Sequence, residues 1–182
     1  GQESRLGKSA GMTREIVIPA SVFEALRSEL ASEAGTLQTV RALHHAGYHA
    51  GLAAAAAVNH EVGGNSFALS ERSFWTGLSD FFSKRGWGKL DHSTPHPAIG
   101  LLRTPDWAEA RPEANESGAS CSFSTGYLSG LLSQLAGGPV AVLESSCRSR
   151  GGDACEFAFG SETAVHDLYG KLLDGADMAT SL

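Results

Sequence analysis

The chain has 182 residues, 42% of them hydrophobic, and a formal net charge of −6 at pH 7. This length and apolar content suffice for one hydrophobic core, so the sequence predicts a single domain. The acidic average argues against direct nucleic-acid binding, and no apolar run approaches the roughly 18 residues that a membrane span needs.

The predicted domain covers residues 15–175. The polar, glycine-rich residues 1–14 are expected to form a disordered arm, and residues 176–182 are expected to be a fraying tail. The chain has three cysteines, an odd number, and no charged-then-apolar leader. These features argue against a disulfide framework and predict a reducing, cytoplasmic environment.

Apolar residues at helical spacing predict two helices in the first third of the chain. The first starts after Ser21, with Glu24 in the capping-box position, and ends at Gly35. The second covers Leu37 to Val58 and carries a stripe of small residues, which lets another backbone approach closely. The stripe consists of Ala46, Gly47, Ala50, Gly51, Ala54 and Ala55. Tight helix packing is the main interpretation, and a ligand or partner helix against the stripe is the alternative.

The second predicted helix also carries His44, His45 and His49. His45 and His49 are four residues apart and therefore share a helix face, which could bind a metal or a haem. An ordinary surface pair of histidines is the more common explanation of this spacing.

A third helix is predicted from Ser70 to Arg85, with Ser70 as its N-cap. Its apolar residues form one broad, strongly aromatic face. They are Phe74, Trp75, Leu78, Phe81 and Phe82. The face is interpreted either as core or as the wall of a pocket for an apolar ligand.

Two strand pairs are predicted in the rest of the chain. Residues 87–92 and 98–103 flank a turn over 93–97, and residues 140–145 and 154–159 flank a turn over 148–153. Helices are predicted over 122–136, bearing a second small-residue edge at Gly126 and Gly130, and over 161–173. The polar residues 112–120 are expected to form a flexible loop.

All three cysteines lie between residues 121 and 155, and Glu144 lies among them. Thiolates and a carboxylate are ligands that suit a tetrahedral zinc ion. Three free, buried cysteines are an equally weighted interpretation of the residues alone, because a single C-x7-C is a weak zinc spacing.

Two motifs in this region resemble the 4-vinyl reductase domain family. The first is Cys121-Ser-Phe-Ser-Thr-Gly126-Tyr127-Leu128-Ser-Gly130-Leu-Leu. The second is Val140-Ala-Val142-Leu-Glu144-Ser-Ser-Cys147, followed by Gly152-Asp153-Ala-Cys155-Glu-Phe157. The family also supplies sensor domains of bacterial activators that respond to phenols and other aromatics, and its fold is related to that of TRAPP subunits. The resemblance implies an α+β fold of this ligand-binding type, with helices packed on an antiparallel four-stranded sheet.

In the resembled sensors a Cys, Glu, Cys, Cys set in this order binds a structural zinc, which implies Cys121, Glu144, Cys147 and Cys155 as ligands here. Four protein ligands close the shell, so such a metal is structural rather than catalytic. Arg148 and Arg150 are expected to offset the negative charge of the site.

Those sensors hold an aromatic ligand between helices and sheet. The corresponding pocket residues expected here are Phe74, Trp75, Leu78, Phe82, Trp107 and Phe123. Val142 stands where phenol sensors offer a tyrosine, so a larger or more apolar ligand than phenol is expected.

Three functions are compatible with the sequence. The main expectation is a domain that binds or senses a small hydrophobic molecule, forms a homodimer and passes a shape change to a separate output protein. The alternatives are a TRAPP-like assembly subunit and a tetrapyrrole-binding enzyme or carrier with a histidine axial ligand. The sequence has no G-x-G-x-x-G motif or P-loop to support reductase activity, so the protein is predicted not to be an enzyme.

Overall fold

The computed structural model describes residues 14–65, 68–118 and 120–182. The helices are α1 (Val22–Glu61), α2 (Glu71–Lys84), α3 (Ser122–Ala136), α4 (Glu162–Leu173) and α5 (Met178–Ser181), and the strands are β1 (Asp91–His96), β2 (Ile99–Thr104), β3 (Ala141–Ser146) and β4 (Cys155–Gly160). The predicted disordered arm falls on residues 1–14, of which 1–13 lie outside the described residues. Within the described ranges, no helix combines the length and the apolarity that crossing a bilayer requires.

The strands form one antiparallel sheet in the order β1-β2-β4-β3, which confirms the predicted α+β fold. The two hairpins lie side by side, with β2 paired to β4. The position predicted for the first strand was wrong, because β1 covers residues 91–96, where the turn was expected. β1 is an edge strand whose register shifts between Ser93 and His96, and an edge or bulge position tolerates Pro95.

The sheet separates a large core from a small one. Cys155, Phe157 and Phe159 share one face of β4, as predicted from the strand period, and pack in the large core with α1, α2 and α3. Ala158 points to the opposite face, where Val165 and Leu168 of α4 cover it. The candidate site residues therefore lie on the side of the sheet that carries α1, α2 and α3.

Helix α1 contains a break at Gly35, where the backbone leaves the helical region with φ 80° and ψ 169°. The sequence predicted one helix ending at Gly35 and another starting at Leu37, so the break is confirmed. The capping box at Ser21 was wrong, because Ser21 has helical backbone angles and its side chain makes no capping hydrogen bond. The predicted N-caps Ser70 and Ser161 are confirmed, since each accepts a hydrogen bond from the backbone three residues on.

The small-residue stripe of α1 packs against the small-residue edge of α3. A Cβ added at Gly47 would lie 2.0 Å from the Phe123 carbonyl oxygen, and one at Gly126 would lie 2.0 Å from that of His44. Gly51 and Gly130 make equally close approaches one turn further along. The main interpretation of the stripe, tight helix packing, is confirmed, and its partner is a helix of the same chain.

The segment after Gly175, predicted as a fraying tail, contains the short helix α5. Asp177 caps this helix, and the Lys171 ammonium donates a hydrogen bond of 3.0 Å to the Ser181 carbonyl oxygen. These contacts hold the segment against α4.

Candidate functional site

The three cysteines converge from three different elements. Cys121 is the N-cap of α3, Cys147 follows β3, and Cys155 opens β4. The Sγ atoms of Cys121 and Cys147 are 3.6 Å apart, and those of Cys147 and Cys155 are 3.7 Å apart. All three side chains are buried. The fold thus brings together sulfur atoms that are up to 34 residues apart in sequence.

This geometry fits a tetrahedral thiolate metal site. Zinc–sulfur bonds of about 2.3 Å at tetrahedral angles place the sulfur atoms about 3.8 Å apart. The sulfur separations on either side of Cys147 are close to that value, and all three Sγ atoms lie within 4.8 Å of one another. The three cysteines could therefore bind a metal ion without rearranging.

Glu144 lies at the edge of this cluster. Its Oε2 accepts a hydrogen bond of 2.9 Å from the Cys121 backbone N–H, and its Oε1 lies 3.3 Å from the Arg150 guanidinium. Among the described residues, the mutually close ligand atoms are the three sulfurs alone. Glu144 is thus adjacent to the sulfur cluster, in contact with its first cysteine through the backbone.

The sulfur of Cys147 carries most of the negative charge of the cluster. Hydrogen bonds donated by the Cys121 and Cys155 thiols lower the pKa of Cys147, and the same bond raises the pKa of Cys121. The Ser120 hydroxyl also donates to Cys147, at 2.9 Å. Burial raises the pKa of Glu144 to about 7, and the nearby charge on Cys147 adds to this. This arrangement favours a bound cation, which would relieve the repulsion between the acidic groups.

Glu109 caps the N-terminus of α3, next to the cysteines. Its carboxylate accepts hydrogen bonds from the backbone N–H groups of Phe123 and Ser124, at 3.1 and 2.7 Å. The side chain is buried, and burial raises the pKa of Glu109 to about 6. Sequence analysis missed this role because the cap comes from a loop residue 13 positions before the helix. No local spacing signals such a cap.

The loop between β2 and α3, predicted to be flexible, is attached to the turn between β3 and β4. Ser149 in that turn accepts a hydrogen bond from the Arg111 backbone through its hydroxyl and one from the Glu116 backbone through its carbonyl, both at 2.7 Å. Arg27 of α1 reaches the same loop through an ion pair of 2.8 Å with Glu116. The cysteine turn, the loop and α1 are thus connected.

Aromatic side chains form two clusters on the helical side of the sheet. The inner aromatic cluster consists of Phe23, Phe82, Trp87, Trp107, Phe123 and Tyr127. The outer aromatic cluster consists of Phe74, Trp75, His92 and Phe159. Trp75 stacks on His92 with ring centroids 3.9 Å apart. Trp107 is buried and donates a hydrogen bond of 2.7 Å to the Ser124 hydroxyl.

The six predicted pocket residues are divided between these clusters. Phe82, Trp107 and Phe123 belong to the inner one, and Phe74 and Trp75 to the outer one. Leu78 is fully buried on α2, one turn from both Phe74 and Phe82. The aromatic face of α2 therefore connects the two clusters. Sequence analysis did not assign Phe23, Trp87 or Tyr127 to this region, because their convergence depends on the packing of α1 and α3.

An open groove of about 500 Å³ lies between α2 and β1, beside the outer aromatic cluster. Trp75 and His92 line it together with Ser79, Leu90 and several charged side chains at its rim. Trp75 is the one predicted pocket residue that faces this groove. Burial lowers the pKa of His92, which favours its neutral form.

The three histidines of α1 do not converge on a shared site. His45 and His49 are exposed, and His44 is half-buried beside Tyr48 and Val142. Burial lowers the pKa of His44. Within the part of the chain that the structure describes, the possible metal-binding groups comprise the cysteine cluster and no histidine.

The resemblance read from the motifs is confirmed by a family model: residues 106–161 match the vinyl-4-reductase domain. A comparison with curated protein sequences finds no match.

Three solved structures share the fold. The phenol-responsive sensory domain of the transcription activator PoxR, with phenol, is 18% identical, with a TM-score of 0.72 over 90% of this chain and 84% of that one. A trafficking protein particle complex subunit 3 from Naegleria fowleri, covalently bound to palmitic acid, is 12% identical, with a TM-score of 0.64 over 78% and 91%. A vinyl-4-reductase family protein from Methanocaldococcus jannaschii is 16% identical, with a TM-score of 0.53 over 80% and 83%.

Proposed function

We propose, from the match to the vinyl-4-reductase domain and the fold shared with a phenol-responsive sensory domain, that the chain binds a small hydrophobic or aromatic molecule. The observation that carries the proposal is the pair of aromatic clusters joined along α2. Binding sites for such molecules are mostly apolar and aromatic, with a few polar groups that fix orientation. Neutral His92 and the Trp107–Ser124 hydrogen bond are polar groups of this kind.

The proposed ligand contacts are the six residues identified from the sequence: Phe74, Trp75, Leu78, Phe82, Trp107 and Phe123. Of these, Phe74, Trp75 and Phe123 are half-buried and the other three are buried, so a ligand would contact the former first. That the chain binds such a ligand without transforming it stays a prediction.

The proposal includes a structural zinc ion held by Cys121, Glu144, Cys147 and Cys155. The sulfur spacing supports a tetrahedral site, and Glu144 is the nearest carboxylate that could complete it. Four protein ligands would leave no position for a substrate, so the ion would tie α3 to the β3–β4 hairpin.

Titration with 2-naphthol and with phenol, followed by calorimetry, tests the binding function. Replacing Trp75 or Trp107 with Ala is expected to weaken 2-naphthol binding about tenfold, because each variant removes a large aromatic contact surface. Tyr169→Ala is the matched control, since Tyr169 is an exposed aromatic residue on α4. Absence of 2-naphthol binding, or equal binding by all three variants, would contradict the proposed site.

A second candidate function is that of an assembly subunit. It is favoured by the exposed apolar residues Ile16, Val17 and Ile18 and by the fold shared with the trafficking subunit. Native mass spectrometry separates the two functions. A homodimer that retains an apolar small molecule supports the ligand-binding function and a separate output protein, whereas assembly with no small molecule bound supports the second.

A further inference from the structure

The N-terminal part of α1, Val22–Ala34, is joined to the rest of the helix by an unusual backbone conformation. Gly35 has φ 80°, a value that favours glycine, while the residues on both sides are helical. A Cβ added at Gly35 would meet no atom within 4 Å. The break is therefore not enforced by neighbouring atoms around Gly35. It must be stabilised by contacts that Val22–Ala34 makes elsewhere.

These contacts are few and are concentrated on two side chains. The Phe23 ring lies over the inner aromatic cluster, 5.4 Å from the Trp87 ring and 5.3 Å from the Phe123 ring. The Arg27 guanidinium forms ion pairs with Glu116, at 2.8 Å, and with the buried Glu109, at 3.8 Å. It also donates a hydrogen bond to the Ser120 carbonyl oxygen.

The rest of the segment is mostly solvent-exposed. Leu26 is 45% exposed, and Leu37, just beyond the break, is 62% exposed. Each half of α1 has a continuous helical sequence, so a straight helix is an alternative conformation for the whole of α1. Straightening would lift Phe23 away from Trp87 and Phe123, which are otherwise only half-buried.

We propose that Val22–Ala34 is a hinged lid that turns about Gly35 and controls access of the ligand to the inner aromatic cluster. Phe23 covers the rings, and Arg27 holds the lid closed through the loop that carries Glu109 and Glu116. The inference rests on the proposed ligand-binding function for its purpose, and on the packing of Phe23 and Arg27 for its geometry.

Gly35→Ala tests the hinge. An L-residue disfavours a positive φ, so the variant favours the straight helix without introducing a clash. The open form is expected to gain about tenfold in population. Gly175→Ala is the matched control, because Gly175 has φ 85° and equally open surroundings at the end of α4. Arg27→Ala is a second variant, which removes the ion pairs of the lid but leaves its covering ring in place.

Hydroxyl-radical footprinting read by mass spectrometry measures the outcome without any ligand. Labelling of Trp87 and Phe123 is expected to rise in Gly35→Ala and Arg27→Ala relative to the wild type and Gly175→Ala. Labelling of Trp75, in the outer aromatic cluster, is expected to stay unchanged. In stopped-flow experiments, 2-naphthol is expected to associate faster with the two lid variants.

Unchanged labelling of Trp87 and Phe123 in both lid variants overturns the hinged lid. Protection of these rings combined with a shift to dimers in native mass spectrometry also overturns it, because the segment would then cover a second copy of the chain. Increased labelling without any 2-naphthol binding supports the lid and counts against the proposed ligand-binding function alone.

Discussion

Arg148 and Arg150 lie on the same turn beside the cysteines, yet they reach different groups. The Arg150 guanidinium lies 3.3 Å from the Glu144 carboxylate, whose side chain is only 6% exposed. Arg148 interacts with Cys155 through its backbone, which is independent of side-chain identity. The sequence predicted that both side chains offset the charge of the site, whereas the geometry assigns a direct ion pair to Arg150.

Arg150→Gln is therefore expected to weaken zinc retention, while Arg148→Gln, the matched control, is expected to change it less. Removing the cation leaves a buried carboxylate beside thiolates without its counter-charge, which raises the energy of the ionised ligand set. Competition with a chromogenic zinc chelator measures the difference as a several-fold higher apparent dissociation constant. Equal retention by both variants would show that Arg150 does not offset the charge of the site.

Glu109 makes a separate prediction about pH. Burial raises the pKa of Glu109 from 4.5 to about 6, so the folded state binds a proton more readily than the unfolded state between these values. The stability contributed by this group is thus highest below pH 4.5 and falls as the pH rises to 6. The fall amounts to about 2 kcal/mol, from about 1.5 pKa units at about 1.36 kcal/mol each.

Urea unfolding of the wild type and of Glu109→Gln at about pH 4.5 and about pH 6.5 checks this expectation. Gln cannot titrate, so the variant should gain about 2 kcal/mol relative to the wild type between the two pH values. Its loss of one acceptor at the N-terminus of α3 lowers its stability equally at both. A stability difference independent of pH would contradict the raised pKa.

At the scale of elements, the pairing of α1 with α3 depends on glycines that face each other's backbone. Gly47→Ala is expected to destabilise the fold by about 1–3 kcal/mol, because its Cβ would lie 2.0 Å from the Phe123 carbonyl oxygen and the helices must separate. Gly170→Ala in α4 is the control. Its Cβ would meet nothing within 4 Å, so it should stabilise the protein by about 0.5–1 kcal/mol. Thermal unfolding of both variants measures the two signs.

The elements that the sequence predicted well are those with local signals. The bounds of α3, the caps at Ser70 and Ser161 and the break at Gly35 follow from residue periodicity and from the conformational preferences of Ser and Gly. β1 was misplaced because Pro95 predicts a turn, and only the edge position of the strand makes this proline acceptable.

The candidate site was predictable to the extent that its residues occur in a motif. The three cysteines were found in this way, and the fold brings them together. Arg27, Glu109 and Trp87 carry no motif, because their roles arise from contacts between elements distant in sequence. The division of the six pocket residues into two clusters depends equally on tertiary packing.

At the scale of the whole molecule, the cysteine cluster lies where three parts of the chain meet. It joins α3 to the β3–β4 hairpin, and Ser149 and Arg27 extend this connection through the 111–120 loop to α1. A metal ion at the cluster would therefore stabilise the loop and the covering of the inner aromatic cluster as well as the hairpin. Its removal should affect both stability and ligand binding.

We expect the purified protein to contain about one zinc ion per chain and to lose thermal stability with a strong chelator. Structural zinc contributes on the order of 10 kcal/mol in small domains, and a loss of even a few kcal/mol lowers the melting temperature of a chain this size by roughly 10 °C. Cys121→Ser is the control, since it lacks one sulfur ligand and its melting temperature should respond less to the chelator. Because the cluster supports the loop that holds Arg27, the chelated wild type should also bind 2-naphthol more weakly. Metal-free protein of equal stability and affinity would show that the three sulfurs are ordinary buried thiols.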